Sequence, residues 1–223
     1  GQAVFQTRRQ SPGLAIPLLH DGCHRTSVDT DWVTGAIRLR SGESWLGRAD
    51  LDRLRGEVRD WFAPAELDRR MGAPSEIVEH LARAWMLRGG KRWRPFLLAA
   101  VWRAMRAPEA AIPDGVRDLA VAVECFHKAS LIHDDIEDDD DVRYGVATLH
   151  REHGVPAAIN AGDALLGDGY RLIAACGAPP ADVRAMVEVA AAGHRTLCVG
   201  QGGELAWMHD PHPMPAQDRK SVV

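Results

Sequence analysis

The sequence predicts an all-α helical bundle, on three observations. Ala, Leu, Arg and Glu dominate while β-branched residues are sparse. Apolar residues recur at three- and four-residue spacings with charge between them. Pro and Gly cut the chain into helix-length pieces, with no repeat period and no heptad run. A bundle fits this pattern better than alternating strand and helix units. With 223 residues, 46% of them hydrophobic, the chain has enough apolar surface for one domain plus an extension.

Residues 1–43 are rich in Gly, Pro, Ser, Thr and scattered charge, and read as an extension of uncertain structure. A weak strand-or-helix pattern covers 31–39. Residues 44–223 read as the helical domain. Its pattern turns helical from Trp45, with Leu51, Leu54 and Val58 on one face. Pro64 and Pro74 punctuate the next segment. A second helix starts near Ser75, with Glu76 and Glu79 at its positive end. Its apolar face holds Ile77, Val78, Leu81 and Trp85, and Gly89 and Gly90 stop it. Further helices are expected over 96–105, over 114–133 with Leu119, Val123, Phe126 and Ser130 along one face, over 162–175, and from 182 to about 207.

The net charge of -4, from 27 basic and 31 acidic residues, argues against a general nucleic-acid binder. Cys23, Cys125, Cys176 and Cys198 are widely spaced and form no CxxC pair, so they read as reduced or buried thiols of a cytoplasmic chain. The N-terminus has no signal-peptide core, and no run is long enough to span a membrane.

The charge is concentrated. Seven acids occupy the eight positions 134–141, HDDIEDDDD including the preceding His133, and GGKRWRP lies upstream at 89–95. Dense carboxylates gather hard cations such as Mg2+. Lys and Arg grip phosphate oxygens. Together they point to a diphosphate held partly by metal and partly by cationic side chains. Asp134 and Asp138 are four apart and share a helix face, with Asp135 beside them. Asp139, Asp140 and Asp141 read as a solvated helix end, and Glu137 as pointing elsewhere. Gly89 and Gly90 allow the backbone to approach a ligand. Lys91 and Arg94, three apart, face one site if Pro95 opens the next helix. The segment is not a P-loop, because Arg92 follows Lys91 where Ser or Thr is needed.

GGKRWRP, ECFHKASLIHDDIEDDDDVRYG, TLHREHGVPAAINAGDALL and GQGGEL closely resemble, in order and spacing, the trans-isoprenyl diphosphate synthases, or polyprenyl synthetase family, across roughly residues 75 to 205. The resemblance implies an isoprenoid-synthase-like bundle around a deep cavity, a homodimer or hetero-oligomer, and Mg2+ as cofactor. It implies that isopentenyl diphosphate is condensed with an allylic prenyl diphosphate. Asp134, Asp135 and Asp138 then correspond to the first aspartate-rich motif, with Asp134 and Asp138 as metal ligands. Arg143 corresponds to a contact to the allylic diphosphate. Lys91, Arg94 and His127 correspond to contacts to isopentenyl diphosphate, and Arg92 and Gln201 to further substrate-binding residues. Gln201 and Glu204 occupy the GQxxD segment, Glu204 replacing the usual Asp as a metal ligand, and Asp163 is a supporting carboxylate. Ala129 and Ser130 leave room beneath Asp134 for a product of C20 or longer, with Phe126 as the floor.

Two departures stand out. Tyr144 follows Arg143 where the family has a second arginine, which removes a charge from the isopentenyl diphosphate side. No counterpart of the later Lys-Thr pair or second aspartate-rich motif precedes Val223, and the segment from Asp210 onward does not resemble the next family helix. The expectation is therefore a partial synthetase domain, incomplete at its C-terminus. A non-catalytic partner subunit and a class I terpene cyclase remain as alternatives.

Overall fold

The structure, a computed structural model, describes residues 28–31, 36–39, 45–106 and 110–211. Cys23, most of the expected 1–43 extension and the segment 212–223 lie outside the described residues.

Leu51, Leu54 and Val58 fall on one buried face of helix α1 (Arg48–Asp60), as their spacing predicts. Trp45 is not part of it. It pairs with Arg38 in a small antiparallel sheet of β1 (Val28–Asp31), β2 (Ala36–Leu39) and β3 (Trp45–Leu46). A short helix α2 (Pro64–Met71) follows, with Pro at its first position, where the missing N–H costs nothing. Arg70 of α2 is buried and pairs with Asp114 and Asp118. Helix α3 (Ile77–Leu87) starts where Glu79 accepts the Ser75 and Glu76 amides at 2.7 and 3.0 Å. Trp85 is fully buried as expected, but Ile77 is 75% exposed, because the buried stripe runs through Ala82, Trp85 and Met86. Helix α4 (Trp93–Ala104) opens two residues before Pro95.

Helix α5 (Asp114–Glu137) is the central element, and it continues one turn beyond the expected 133. It leads to a hairpin of β4 (Val142–Arg143) and β5 (Val146–Ala147), then short α6 (Leu149–His153). Helix α7 (Val155–Ala175) begins seven residues earlier than expected, since Pro156 sits in its first turn and is tolerated there. The short Gly177–Pro179 link turns the chain into α8 (Pro180–His209).

α5 and α7 pack antiparallel and unusually close. A Cβ on Gly169 of α7 would lie 2.7 Å from the Phe126 ring, one on Gly162 would collide with the His133 ring, and one on Gly115 of α5 would collide with the Cys176 carbonyl. Ala158, Ala161, Leu165 and Leu172 of α7 and Ala122, Cys125, Ala129 and Ile132 of α5 are buried in the core. The fold class is the expected isoprenoid-synthase-like helical bundle, with two small sheets added. No described helix is long and apolar enough to cross a membrane.

Candidate diphosphate site

The acids of the DDxxD stretch sit at the C-terminus of α5, the negative end of the helix dipole, so nothing in the helix itself favours them there. The helix ends in a Schellman motif. The Asp139 amide donates to the Ile136 carbonyl at 3.3 Å, and the Asp140 amide to the Asp135 carbonyl at 2.9 Å. Asp139 takes the left-handed position, φ 56, that glycine usually fills. Arg151 of α6 answers this crowding, pairing with Asp139 at 2.8 Å and Asp141 at 2.7 Å. Thr148 closes the loop by donating to the Asp140 carbonyl at 2.8 Å.

Arg143 reaches back from β4 into the same cluster. Its guanidinium donates to Asp135, to Asp134 at 2.9 Å and to Asp140 at 3.3 Å. Asp135 is 1% exposed, and its Oδ2 has no hydrogen-bond partner. Burial raises the Asp134 pKa, with the neighbouring Asp138 carboxylate adding to the shift and Arg143 opposing it. Burial also raises that of Asp135, against its hydrogen bond from Arg143.

Beneath Asp134 a cavity of about 590 Å³ opens between α5 and α8, with Leu166 of α7 in its wall. Asp134 and Glu137 line the cavity at the end where α5 terminates, so Glu137 does not point elsewhere as expected. Phe126 lies eight residues back, or about 12 Å along the axis at 1.5 Å per residue. Between them Leu131, Leu166, Leu197 and Leu205 make the wall largely apolar. Phe126 packs edge-on against Tyr170 at 4.9 Å, and the Tyr170 hydroxyl lies 3.4 Å from His194 Nδ1. Arg94 from α4 and His127 reach the same space. Burial, then the Arg94 guanidinium, pushes the His127 pKa down to about 4, so the ring is neutral near pH 7.

The residues singled out in the sequence therefore divide. Arg94, Phe126, His127, Ser130, Asp134 and Gln201 line one cavity. Asp135 and Arg143 form the salt-bridged layer behind Asp134, and Asp138 caps the helix. Lys91 is exposed on the loop before α4. Arg92 turns away from the cavity: it pairs with buried Glu124 at 2.5 Å, donates to the Met86 carbonyl and lies over the Phe62 ring. Ala129 faces the core, not the cavity, because one residue is about 100° of helix rotation from Ser130. Glu204 lies three residues beyond Gln201 on α8 but outside the cavity lining. Asp163 is largely exposed and lies 3.5 Å from His133.

The donor set suits a hard divalent cation: carboxylates a helical turn apart, plus an unpartnered carboxylate oxygen on Asp135. Among the described residues, however, no three acidic, histidine or cysteine groups converge on one metal position, and Arg143 stands among the acids instead. Sequence reasoning passed over Lys128 and Glu124, although a Lys and a Glu inside an apolar helix were a readable signal. Cys125 and Cys176 are buried thiols, as expected, but Cys198 is exposed. Burial pushes the Cys125 thiol pKa up.

The family model for polyprenyl synthetase matches residues 75–219, a span that holds every residue lining the cavity. The chain belongs to the polyprenyl synthetase family. This polyprenyl synthetase chain is 39% identical over 139 residues to a geranylgeranyl diphosphate synthase of Cereibacter sphaeroides, a match covering 59% of the chain and 46% of that relative. It is 35% identical over 151 residues to the farnesyl diphosphate synthase of Escherichia coli, covering 64% and 48%. Its fold matches the geranylgeranyl pyrophosphate synthetase of Pyrococcus horikoshii with a TM-score of 0.66 at 28% identity, over 78% of this chain and 52% of that one. The polyprenyl synthetase chain thus spans about half the length of these relatives.

Proposed function

We propose that the chain carries the allylic half of a prenyltransferase site, in a protein that condenses isopentenyl diphosphate with an allylic prenyl diphosphate to give a product of C20 or longer. The observation that carries this reading is one cavity with an acid cluster at its end, an apolar wall beneath, and Arg94 and His127 reaching in from the side. Relatives named for geranylgeranyl and farnesyl diphosphate synthesis support the substrate class.

Asp134 and Asp138 would hold Mg2+, while Glu204, expected as a third ligand, lies outside the cavity lining. When bound, this ion supplies charge neutralisation for a departing diphosphate. Beside Asp134, Arg143 offers a guanidinium, the group suited to diphosphate oxygens. Arg94 and Lys91 bring cations from the α4 side, and neutral His127 is a hydrogen-bond donor that adds no charge. Gln201 offers an amide at the cavity wall. Leu131, Leu166 and Leu197 exclude water while the allylic carbon–oxygen bond breaks. The isopentenyl double bond then forms the new carbon–carbon bond and a proton leaves, with the released diphosphate as its acceptor. Ser130 and Phe126 on the wall, with Val123 almost a turn farther from Asp134, leave depth for a long chain.

The test is product analysis after incubation with Mg2+, isopentenyl diphosphate and C5, C10 or C15 allylic diphosphates, using this chain and a form extended by any native downstream sequence. Elongated products of C20 or more from either form support the reading. If neither folded form gives product, elongation is excluded and a partner-subunit role takes its place. One observation favours that second role: Tyr144 offers a phenol where a second guanidinium would serve isopentenyl diphosphate.

A further inference from the structure

Lys128 sits in the middle of α5 at 0% exposure. A lysine amine so buried costs heavily unless its hydrogen bonds are met. Its Nζ donates to the Arg88 carbonyl at 2.5 Å and the Gly89 carbonyl at 3.0 Å. It also lies 4.2 Å from the centroid of the Tyr144 ring, with Trp85 farther off at 5.8 Å.

Tyr144 is itself held in an unusual state. It is the first residue of a two-residue hairpin turn, at φ 56, where bulky side chains are rare. Its ring lies flush on the other hairpin-facing loop: a Cβ added to Gly89 would be 3.1 Å from it. Gly90, at φ 111, holds a conformation that glycine alone takes readily. On the far side of the loop, Arg92 is fixed at φ 50 by Glu124, the Met86 carbonyl and Phe62. Only Gly90 and Lys91 hang between these two anchors.

We propose that Lys128 and Tyr144 are positioning residues that clasp the Gly89–Gly90 turn and so present Lys91 and Arg94 to a substrate diphosphate. This rests on the diphosphate reading above and adds the device that shapes the cationic side of the site. Two carbonyls and a ring occupy the amine, so Lys128 holds backbone and does not touch substrate. The two carbonyl bonds need only two N–H groups, which a neutral amine also provides. Tyr144 thus replaces a phosphate-binding cation with a ring that orders the loop carrying other cations.

The test is hydrogen exchange of residues 86–95 in the full chain without ligand, alongside calorimetric titration with inorganic diphosphate. The variants are Lys128→Met, Tyr144→Leu and Tyr144→Phe. The expected result is roughly tenfold faster exchange over 88–93 in the first two, with α5 still protected, and roughly tenfold weaker diphosphate binding. Tyr144→Phe, which keeps the ring, is expected to restore both. Unchanged exchange in a folded Lys128→Met or Tyr144→Leu overturns the clasp. So does faster exchange with undiminished diphosphate affinity, because the residues then position nothing. Tyr144 is partly exposed, so its variants remain readable if Lys128→Met does not fold. Failure of the unsubstituted chain to bind diphosphate sinks the diphosphate reading, and the ligand-free exchange data keep that outcome separate from failure of the clasp.

Discussion

Asp135 holds the acid cluster together by binding Arg143 from a buried position, and His127 faces the same cavity without charge. Asp135→Asn keeps the shape but removes the charge that Arg143 grips. The expected loss is about 1.5–3 kcal/mol, the usual worth of a hydrogen bond to a charged group, read as a lower urea midpoint with an unchanged slope. His127 gives a pH signature. Its pKa falls from 6.5 to about 4 on folding, so below about 6.5 the unfolded chain takes up a proton that the folded chain refuses. The stability this group contributes is fully present above pH 6.5 and is lost as pH falls to about 4. His127→Gln should flatten that part of the stability profile; an unaltered slope between pH 6.5 and 4 would show the histidine is not the source.

The pairing of α5 with α7 depends on glycine at the places where rings cross. Gly169→Val would drive a side chain into Phe126, which lines the cavity. Overpacking of this kind costs about 1–3 kcal/mol, seen as a lower thermal midpoint. Phe126 should also be displaced into the cavity, so that any prenyl product is shorter than that of the parent. A longer product would contradict the floor assigned to Phe126. The same two helices show what the sequence makes legible. The clustering of Asp134 with its neighbouring acids and the approach of Arg94 to the same cavity were readable because each is local and follows from residue type and spacing. Lys91, expected to share that site, is instead exposed and outside the cavity lining. The inward turn of Arg92 was not readable, because its partner Glu124 is 32 residues away, and spacing along one segment says nothing about it. The start of α7 was not legible, because the residues from Val155 to Ala161 carried no clear helical pattern ahead of the expected start at 162. Pro156 falls in the first turn, and Gly162 lies where His133 needs the room. Ala129 illustrates a smaller limit: adjacency to Ser130 suggested a shared role, but helix rotation sends one to the core and the other to the cavity.

Across the molecule, α8 is the least covered helix. None of its 30 residues is fully buried, while Val189, Val199 and Met208 are exposed at 49%, 61% and 54%. Apolar surface left open in this way promotes association. The chain should therefore self-associate with rising concentration, and Val199→Lys should shift sedimentation toward the smaller species; an identical distribution would locate the contact elsewhere. The ion pairs at the other end of the cavity have a different consequence. Arg143 pairs with Asp134 and Asp135, so if Asp134 holds a divalent cation as proposed, the guanidinium competes for the same carboxylate. A cation bound there would have to displace it, which would lower the apparent affinity by the fraction of time the arginine is in place. Arg143→Gln should thus tighten Mn2+ binding in the absence of diphosphate, measurable by calorimetry, while weakening the grip on diphosphate itself. Such opposite responses from one substitution would make the guanidinium a gatekeeper, admitting metal most readily when an anionic substrate arrives to draw the arginine away.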